Sequence, residues 1–209
     1  MSIEFVKPMD IEKRSFEIIE SHLKGVEIPD EQRDILKRVI HTSADFDYIK
    51  NLKFSDDAVD AALNALQNGA HIVTDTNMAY SGINKKSIHA LGGEVHCFIA
   101  DEDVASEAKK RGITRAMVSM EKAASIDKPL IFAIGNAPTA LIELDKLISE
   151  GKISPELIIG VPVGFVNVSE SKELIMKSGV PYIVARGNKG GSNVAAAICN
   201  ALLYKLYRK

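Results

Sequence analysis

The sequence predicts a single doubly wound α/β domain, with a five-stranded, mainly parallel sheet and a helical segment at its start. Apolar residues make up 46% of the 209 positions, which is enough for a sizeable core. Helical spacing dominates the first third of the chain, and short β-rich runs then alternate with helical segments. No linker interrupts this pattern. We therefore predict one domain over residues 1–209, with a helical part at 1–68 and an alternating part at 69–209.

The amino-terminal part predicts three helices before any strand. Each segment carries apolar residues at helical spacing, and the segments have acidic first turns or a terminal glycine, which are helix boundary signals. The three segments are residues 10–23, 29–46 and 55–69.

The rest of the chain predicts five strands separated by helices. The strands are residues 70–75, 93–99, 129–135, 156–164 and 181–187. The helical segments are residues 84–93, 101–112, 113–126, 137–151, 169–179 and 191–207. Alternation of this kind is typical of right-handed βαβ units with helices on both faces of the sheet, in three layers.

Three glycine-containing loops follow predicted strands, at 135–141, 160–171 and 186–193. Ligands of such sheets bind beyond the carboxyl ends of the strands, where glycine lets the backbone approach and helix N-termini favour anions. The first loop makes Asn136 a candidate substrate-binding residue. Ordinary connecting turns are the alternative for each loop taken alone.

The segment at 30–45 has a polar stripe opposite its apolar face. Asp34, Arg38, His41 and Asp45 lie on that stripe at about 100° per residue. One interpretation is a solvated face with ion pairs four residues apart. The other is a cleft, completed by another subunit, in which Arg38 binds an anion and His41 transfers a proton near neutral pH. Spacing alone leaves both open.

Composition and spacing argue against several classes of partner. Twenty-six basic and 28 acidic residues nearly cancel, so no basic field favours nucleic acid or an anionic membrane. A signal peptide and a membrane span are not apparent, which predicts a cytoplasmic protein. The histidines, including His71 and His96 in predicted strands, lack the spacing of known metal motifs, so we predict no protein metal site.

Seven motifs, taken in order, resemble the precorrin-8X methylmutase family, including its cobalt-precorrin-8 counterpart. They are "KRSFEII", "RVIHTSADF", "DTNMAYSGI", "ITRAMVSM", "AIGNAPTAL", "GVPVGFVNVSESK" and "ARGNKGGSNVAAA". The resemblance runs from about residue 8 to the last helix. "GNAPTAL" followed by "GVPVGFVN" is its most specific part, whereas R-x-x-H alone is a weak signal.

The resemblance implies an isomerase of cobalamin biosynthesis. It would move a methyl group from C-11 to C-12 of precorrin-8X or cobalt-precorrin-8, giving hydrogenobyrinate or cobyrinate. The implied fold is flavodoxin-like, and the implied assembly is a homodimer with its clefts between subunits. The reaction needs no cofactor, and cobalt, if present, is carried by the substrate. By resemblance His41 is the acid/base, and Ser15 and Arg38 bind the substrate.

The implied tetrapyrrole carries acetate and propionate groups, so its site needs cations around an apolar floor. Besides Arg38, the candidates for this rim are Arg14, Arg115, Arg186 and Lys189. The segment "DTNMAYSGI" could close over the ring, or Asp75 and Thr76 could simply cap a short helix.

Two other functions stay open from the sequence. A tetrapyrrole carrier would keep the cleft without chemistry. The presence of both Arg38 and His41 counts against it, because holding carboxylates needs the cation and not the imidazole. A phosphate- or nucleotide-binding enzyme could use "RGNKGGSN", but that segment lacks the G-x-x-x-x-G-K-[ST] spacing of a phosphate loop.

Overall fold

The structure, a computed structural model, describes residue 5 and residues 7–207. A 3₁₀ turn at Pro8–Asp10 comes first. The described α-helices are α1 Ile11–His22, α2 Asp30–Ser43, α3 Tyr48–Asn51, α4 Ala58–Gln67, α5 Asn77–Gly82, α6 Lys85–Ala90, α7 Glu102–Arg111, α8 Arg115–Ala123, α9 Pro138–Ser149, α10 Val168–Ile175 and α11 Ser192–Leu206. The strands are β1 Leu52–Phe54, β2 His71–Thr74, β3 Val95–His96, β4 Leu130–Ile134, β5 Leu157–Gly160 and β6 Tyr182–Ala185.

The strands form one mixed sheet in the order β1-β6-β5-β4-β2-β3. All five predicted strands are present as β2 to β6, and their mutual pairings are parallel. Taken by themselves and counted along the chain, they have the spatial order 2-1-3-4-5. All five are shorter than predicted. The run at 156–164, for example, leaves the ladder after Gly160, and Pro162 has no N–H to continue it.

The predicted count of five strands is wrong, because the sheet has a sixth strand, β1, and the third predicted helix, at 55–69, follows β1 rather than preceding every strand. β1 lies between α3 and α4 and pairs with β6 in antiparallel fashion, with Leu52 opposite Ala185. Its three residues are too few for a periodic signal. The strand exists because β6 offers it an open edge, and further bonds such as Ser55 N–H to the Tyr182 carbonyl, 3.0 Å, extend the pairing.

The sheet separates two apolar cores. Ile131 and Ala133 of β4 enter the core shared with α1, α2, α4 and α11, whereas Phe132 and Ile134 enter the core shared with α8, α9 and α10. Both kinds of side chain are fully buried, which explains why β4 reads as a continuous apolar run.

Helices α2 and α11 pack side by side on the first face and run in opposite directions. Asp34 at the start of α2 approaches Lys205 at the end of α11, 3.7 Å apart, and the Asn193 amide donates to the Thr42 carbonyl at 3.4 Å. α11 begins just after β6, so the end of α2 lies at the carboxyl edge of the sheet. No helix within the described residues has the length and apolar character needed to cross a membrane.

Candidate active site

The polar stripe of α2 lies on the side predicted from the helical period. Ile35, Leu36, Val39 and Ile40 are buried against the core. His41, in the last turn of α2, is exposed, and its imidazole stacks on the Phe16 ring with centroids 5.1 Å apart and planes 23° apart. The His41 imidazole therefore lies on a surface that is lined by the Phe16 ring.

Arg38 lies one helical turn before His41, between two aromatic rings. The centre of its guanidinium is 5.4 Å from the Phe16 centroid and 4.9 Å from the Tyr204 centroid, and its side chain is 22% exposed. Its only acidic contact in the described residues is Glu12 of α1, at 3.4 Å. Stacking fixes the plane of the guanidinium while leaving N–H groups for an incoming anion.

A groove of about 290 Å³ lies between α2, α5 and α11. Its lining residues are Arg38, His41, Thr42, Gly82, Asn193, Ala196, Ala197, Asn200 and Tyr204. Arg38 and Tyr204 also line an adjoining depression of about 410 Å³ that reaches α1. Gly82 allows α5 to approach α11 closely, since a methyl group at residue 82 would lie 2.8 Å from the Ala196 Cβ. The structure thus brings Arg38 and His41 together on one open concave surface.

The other predicted binding residues are not part of this groove's lining. Asn136 follows β4 and is exposed, and Arg115 is exposed at the start of α8. Arg186 follows β6 and binds Glu173 through Nε at 2.6 Å. The Ser15 hydroxyl donates to the Ile11 carbonyl of its own helix at 3.0 Å. None of these four described residues is among the lining residues of the groove that holds Arg38 and His41.

Like Arg186, two more rim candidates already have acidic partners. Lys189 contacts Asp45 and Asp47, each at 2.6 Å, and these carboxylates raise the pKa of Lys189. Arg14 lies 3.5 Å from Glu17.

The Gly191 N–H donates to the Val161 carbonyl at 2.8 Å, so the loop that contains Lys189 packs against the end of β5. This arrangement does not favour a phosphate loop.

Asp75 has a role that the sequence did not reveal. Its carboxylate is 1% exposed and accepts N–H groups from Gly135, Asn136 and Ala137 at 2.9, 2.8 and 2.7 Å. Burial raises the pKa of Asp75, while the three donors act in the opposite direction. The helix cap is Thr76, whose hydroxyl accepts the Ala79 N–H at 3.1 Å. Asp75 instead fixes the loop that carries Asn136.

Lys172 holds the neighbouring loop from within. Its side chain is fully buried, and its ammonium donates to the carbonyls of Gly187 and Lys189 at 2.6 and 2.9 Å. The polar residues of "NVSES" gave no hint that the following lysine would point inward. Asp75 and Lys172 together fix two of the three loops at the carboxyl edge.

Comparison with known proteins assigns the chain to a family. Residues 10–205 match the model of the precorrin-8X methylmutase family. The chain belongs to this family. It is 48% identical to a cobalt-precorrin-8 methylmutase of Priestia megaterium over 94% of this chain and 88% of the relative. It is 38% identical to a precorrin-8X methylmutase of Pseudomonas aeruginosa, with 92% and 93% covered.

A solved structure supports the same assignment. The precorrin-8X methylmutase of Thermus thermophilus superimposes with a TM-score of 0.84 at 36% identity, covering 93% of this chain and 96% of that one. The protein is accordingly a methylmutase, an isomerase, and the predicted resemblance is confirmed.

Lys172 gives this fold a testable pH dependence. Burial lowers the pKa of Lys172 from 10.5 to about 8. Between these two values the folded protein releases a proton that the unfolded chain keeps, so this group makes the free energy of unfolding rise with pH. We expect the wild type to gain stability relative to Lys172→Met between pH 7 and pH 10. Urea unfolding of both proteins measures the difference in stability. Parallel pH profiles would contradict a lowered pKa of Lys172 in the folded protein.

Proposed function

We propose that the protein catalyses migration of a methyl group from C-11 to C-12 of precorrin-8X or cobalt-precorrin-8, giving hydrogenobyrinate or cobyrinate. The observation that carries this proposal is the pairing of Arg38 and His41 on one groove of a member of this family. One residue supplies a fixed cation and the other a group that exchanges a proton near neutral pH.

In this proposal His41 is the general acid and base. It donates a proton to the conjugated ring system, electron density shifts, and the methyl group migrates without leaving the macrocycle. One proton then returns to the imidazole, because the reaction is an isomerisation with no net proton change. Exposure of His41 beside the Phe16 ring supports this role, since a flat ligand can lie against the same wall.

Arg38 binds a peripheral carboxylate of the macrocycle in this proposal. Its contact with the exposed Glu12 is 3.4 Å, so a substrate carboxylate can replace that partner at small cost. Ser15, Arg115, Arg186 and Asn136 remain proposed binding residues. Arg186 would first have to release Glu173, and Ser15 the carbonyl of Ile11.

We further infer a flavodoxin-like fold and a homodimer with its clefts between subunits. The 2-1-3-4-5 order of the parallel strands is that of flavodoxin-like sheets. Apolar side chains project into solvent from the carboxyl edge, with Met78 70%, Phe165 90% and Val166 79% exposed. A second subunit that covers these residues would also enlarge the groove to fit a macrocycle.

We propose that the reaction needs no cofactor, that the protein is cytoplasmic, and that any cobalt arrives within the substrate. A metal on the ring nitrogens would compete with protonation there, so the proton would have to reach another position of the conjugated system. Whether cobalt is present therefore decides where His41 acts.

The deciding experiment compares metal-free and cobalt-loaded substrate by visible spectroscopy. We expect both to change to the corrin spectrum, with faster turnover of the cobalt form, given the greater identity to the relative named for that substrate. A bound but unchanging spectrum would instead identify a carrier. Absence of binding would contradict both functions, and reaction without protein provides the background rate.

A further inference from the structure

Three metal-ligand side chains meet at the far edge of the sheet. β3 is an edge strand, and its Val95 pairs with Ile72 of β2. Glu94 and His96 are two positions apart, so they project to one face, and the register places His71 of β2 beside them on that face. One donor atom from each of these three residues lies within 4.8 Å of the other two.

The two imidazoles are already in direct contact. His71 Nδ1 lies 2.8 Å from His96 Nε2, and their ring centroids are 5.0 Å apart. Glu94 Oε2 lies 3.9 Å from the same Nε2 atom. One of the two facing nitrogens must carry the hydrogen between them. A cation in its place would only require that imidazole to move its proton to the other ring nitrogen.

The surroundings orient the two imidazoles. The Phe98 ring stacks beside His96 with centroids 5.8 Å apart. The Thr74 hydroxyl donates to the His96 carbonyl at 3.1 Å and ties β3 to β2. The Glu94 side chain is 62% exposed, so a cation can enter from solvent.

We propose that His71, Glu94 and His96 form a site for a divalent transition metal of the zinc class. Two imidazoles and one carboxylate are an established zinc-binding set, and three protein ligands leave a fourth position for water. Bond lengths of about 2.0–2.1 Å in tetrahedral geometry place ligand atoms about 3.4 Å apart. The imidazole nitrogens would separate by roughly 0.6 Å and the carboxylate would approach His96 Nε2 by roughly 0.5 Å, which side-chain rotation can supply.

This site is distinct from the groove of Arg38 and His41. Ile72 and Val95, which alternate with the two histidines, enter the core beneath α2 and α11, whereas Val73 enters the opposite core. The histidines therefore lie on the other face of the sheet. The prediction of no protein metal site rested on ligand spacing within one segment, whereas pairing of β2 with β3 brings together residues 25 positions apart.

Zinc binding to the purified, chelator-treated protein tests the proposal. We expect one equivalent of zinc to bind in competition with a chromophoric chelator, and a rise in the melting temperature. Cobalt(II) in its place should give the intense visible bands of a four-coordinate ion. We expect His71→Asn, His96→Asn and Glu94→Gln each to weaken zinc binding at least about tenfold.

His89→Asn is the matched control, because His89 is exposed at the end of α6 and outside the cluster. Glu94→Gln is the safest variant for folding, since Glu94 is a surface residue. Methylmutase turnover should be unchanged in Glu94→Gln, which separates this site from the proposed reaction. Failure of the wild type to bind zinc, or equal binding by Glu94→Gln and both histidine variants, would overturn the proposal and leave a histidine pair that only joins two strands.

Discussion

Replacing His41 with phenylalanine is expected to lower kcat by about 10²–10⁴-fold, the range attributed to general acid–base catalysis. The phenyl ring can still stack on Phe16, so the aromatic wall of the groove is kept while proton transfer is removed. His41 is exposed at the end of α2, so its substitution should leave folding intact. Single-turnover spectroscopy and a separate binding titration measure the chemical step and the affinity for the macrocycle.

Arg38→Ala provides the contrast for the His41 variant. It removes the cation that lies between Phe16 and Tyr204, so the affinity for the carboxylate-bearing substrate should fall first. A His41→Phe protein that binds normally but turns over slowly, beside an Arg38→Ala protein that binds weakly, assigns the two roles. Undiminished turnover in His41→Phe would remove the imidazole from the mechanism.

The part of this site that could be predicted from sequence is the part governed by helical periodicity. The spacing of Ile35, Val39 and their neighbours fixes which side of α2 is buried, and Arg38 and His41 follow on the other side. Whether that side is a solvated face or a groove depends on α11, which is about 150 residues away in the chain, as the contact between Thr42 and Asn193 illustrates. Periodicity within α2 carries no information about this neighbour.

The features that the sequence did not reveal all depend on long-range pairing. β1 is too short to show alternation and forms because β6 accepts it. Lys172 is buried because two loop carbonyls surround its ammonium, although lysine is normally a surface residue. Asp75 looked like a helix cap in sequence, and the fold instead turns it toward residues about 60 positions later.

Asp75→Ala is expected to lower the free energy of unfolding by several kcal/mol. The substitution leaves the N–H groups of Gly135, Asn136 and Ala137 without their acceptor, and a hydrogen bond to a charged group contributes about 1.5–3 kcal/mol. A loss of this size is a large fraction of the stability of a typical domain. Urea unfolding measures it directly.

Two further variants separate the carboxylate from the helix it precedes. Asp75→Asn keeps the shape of the side chain and one acceptor oxygen, but turns an amide N–H₂ group toward an N–H donor. The free energy of unfolding should therefore fall less than in Asp75→Ala. Thr76→Ala leaves the Asp75 carboxylate in place but removes the cap bond to Ala79, which is worth about 1 kcal/mol, and the 2.8 Å contact with the Ser192 hydroxyl. Gly135 lies where an added methyl group would meet the Ser192 backbone at 2.6 Å, so the loop that Asp75 holds also contacts the start of α11. Loss of the Asp75 contacts should therefore also displace α11, which forms one wall of the groove, and lower turnover as well as stability. Equal stability of Asp75→Ala and Thr76→Ala would show that other contacts fix the loop.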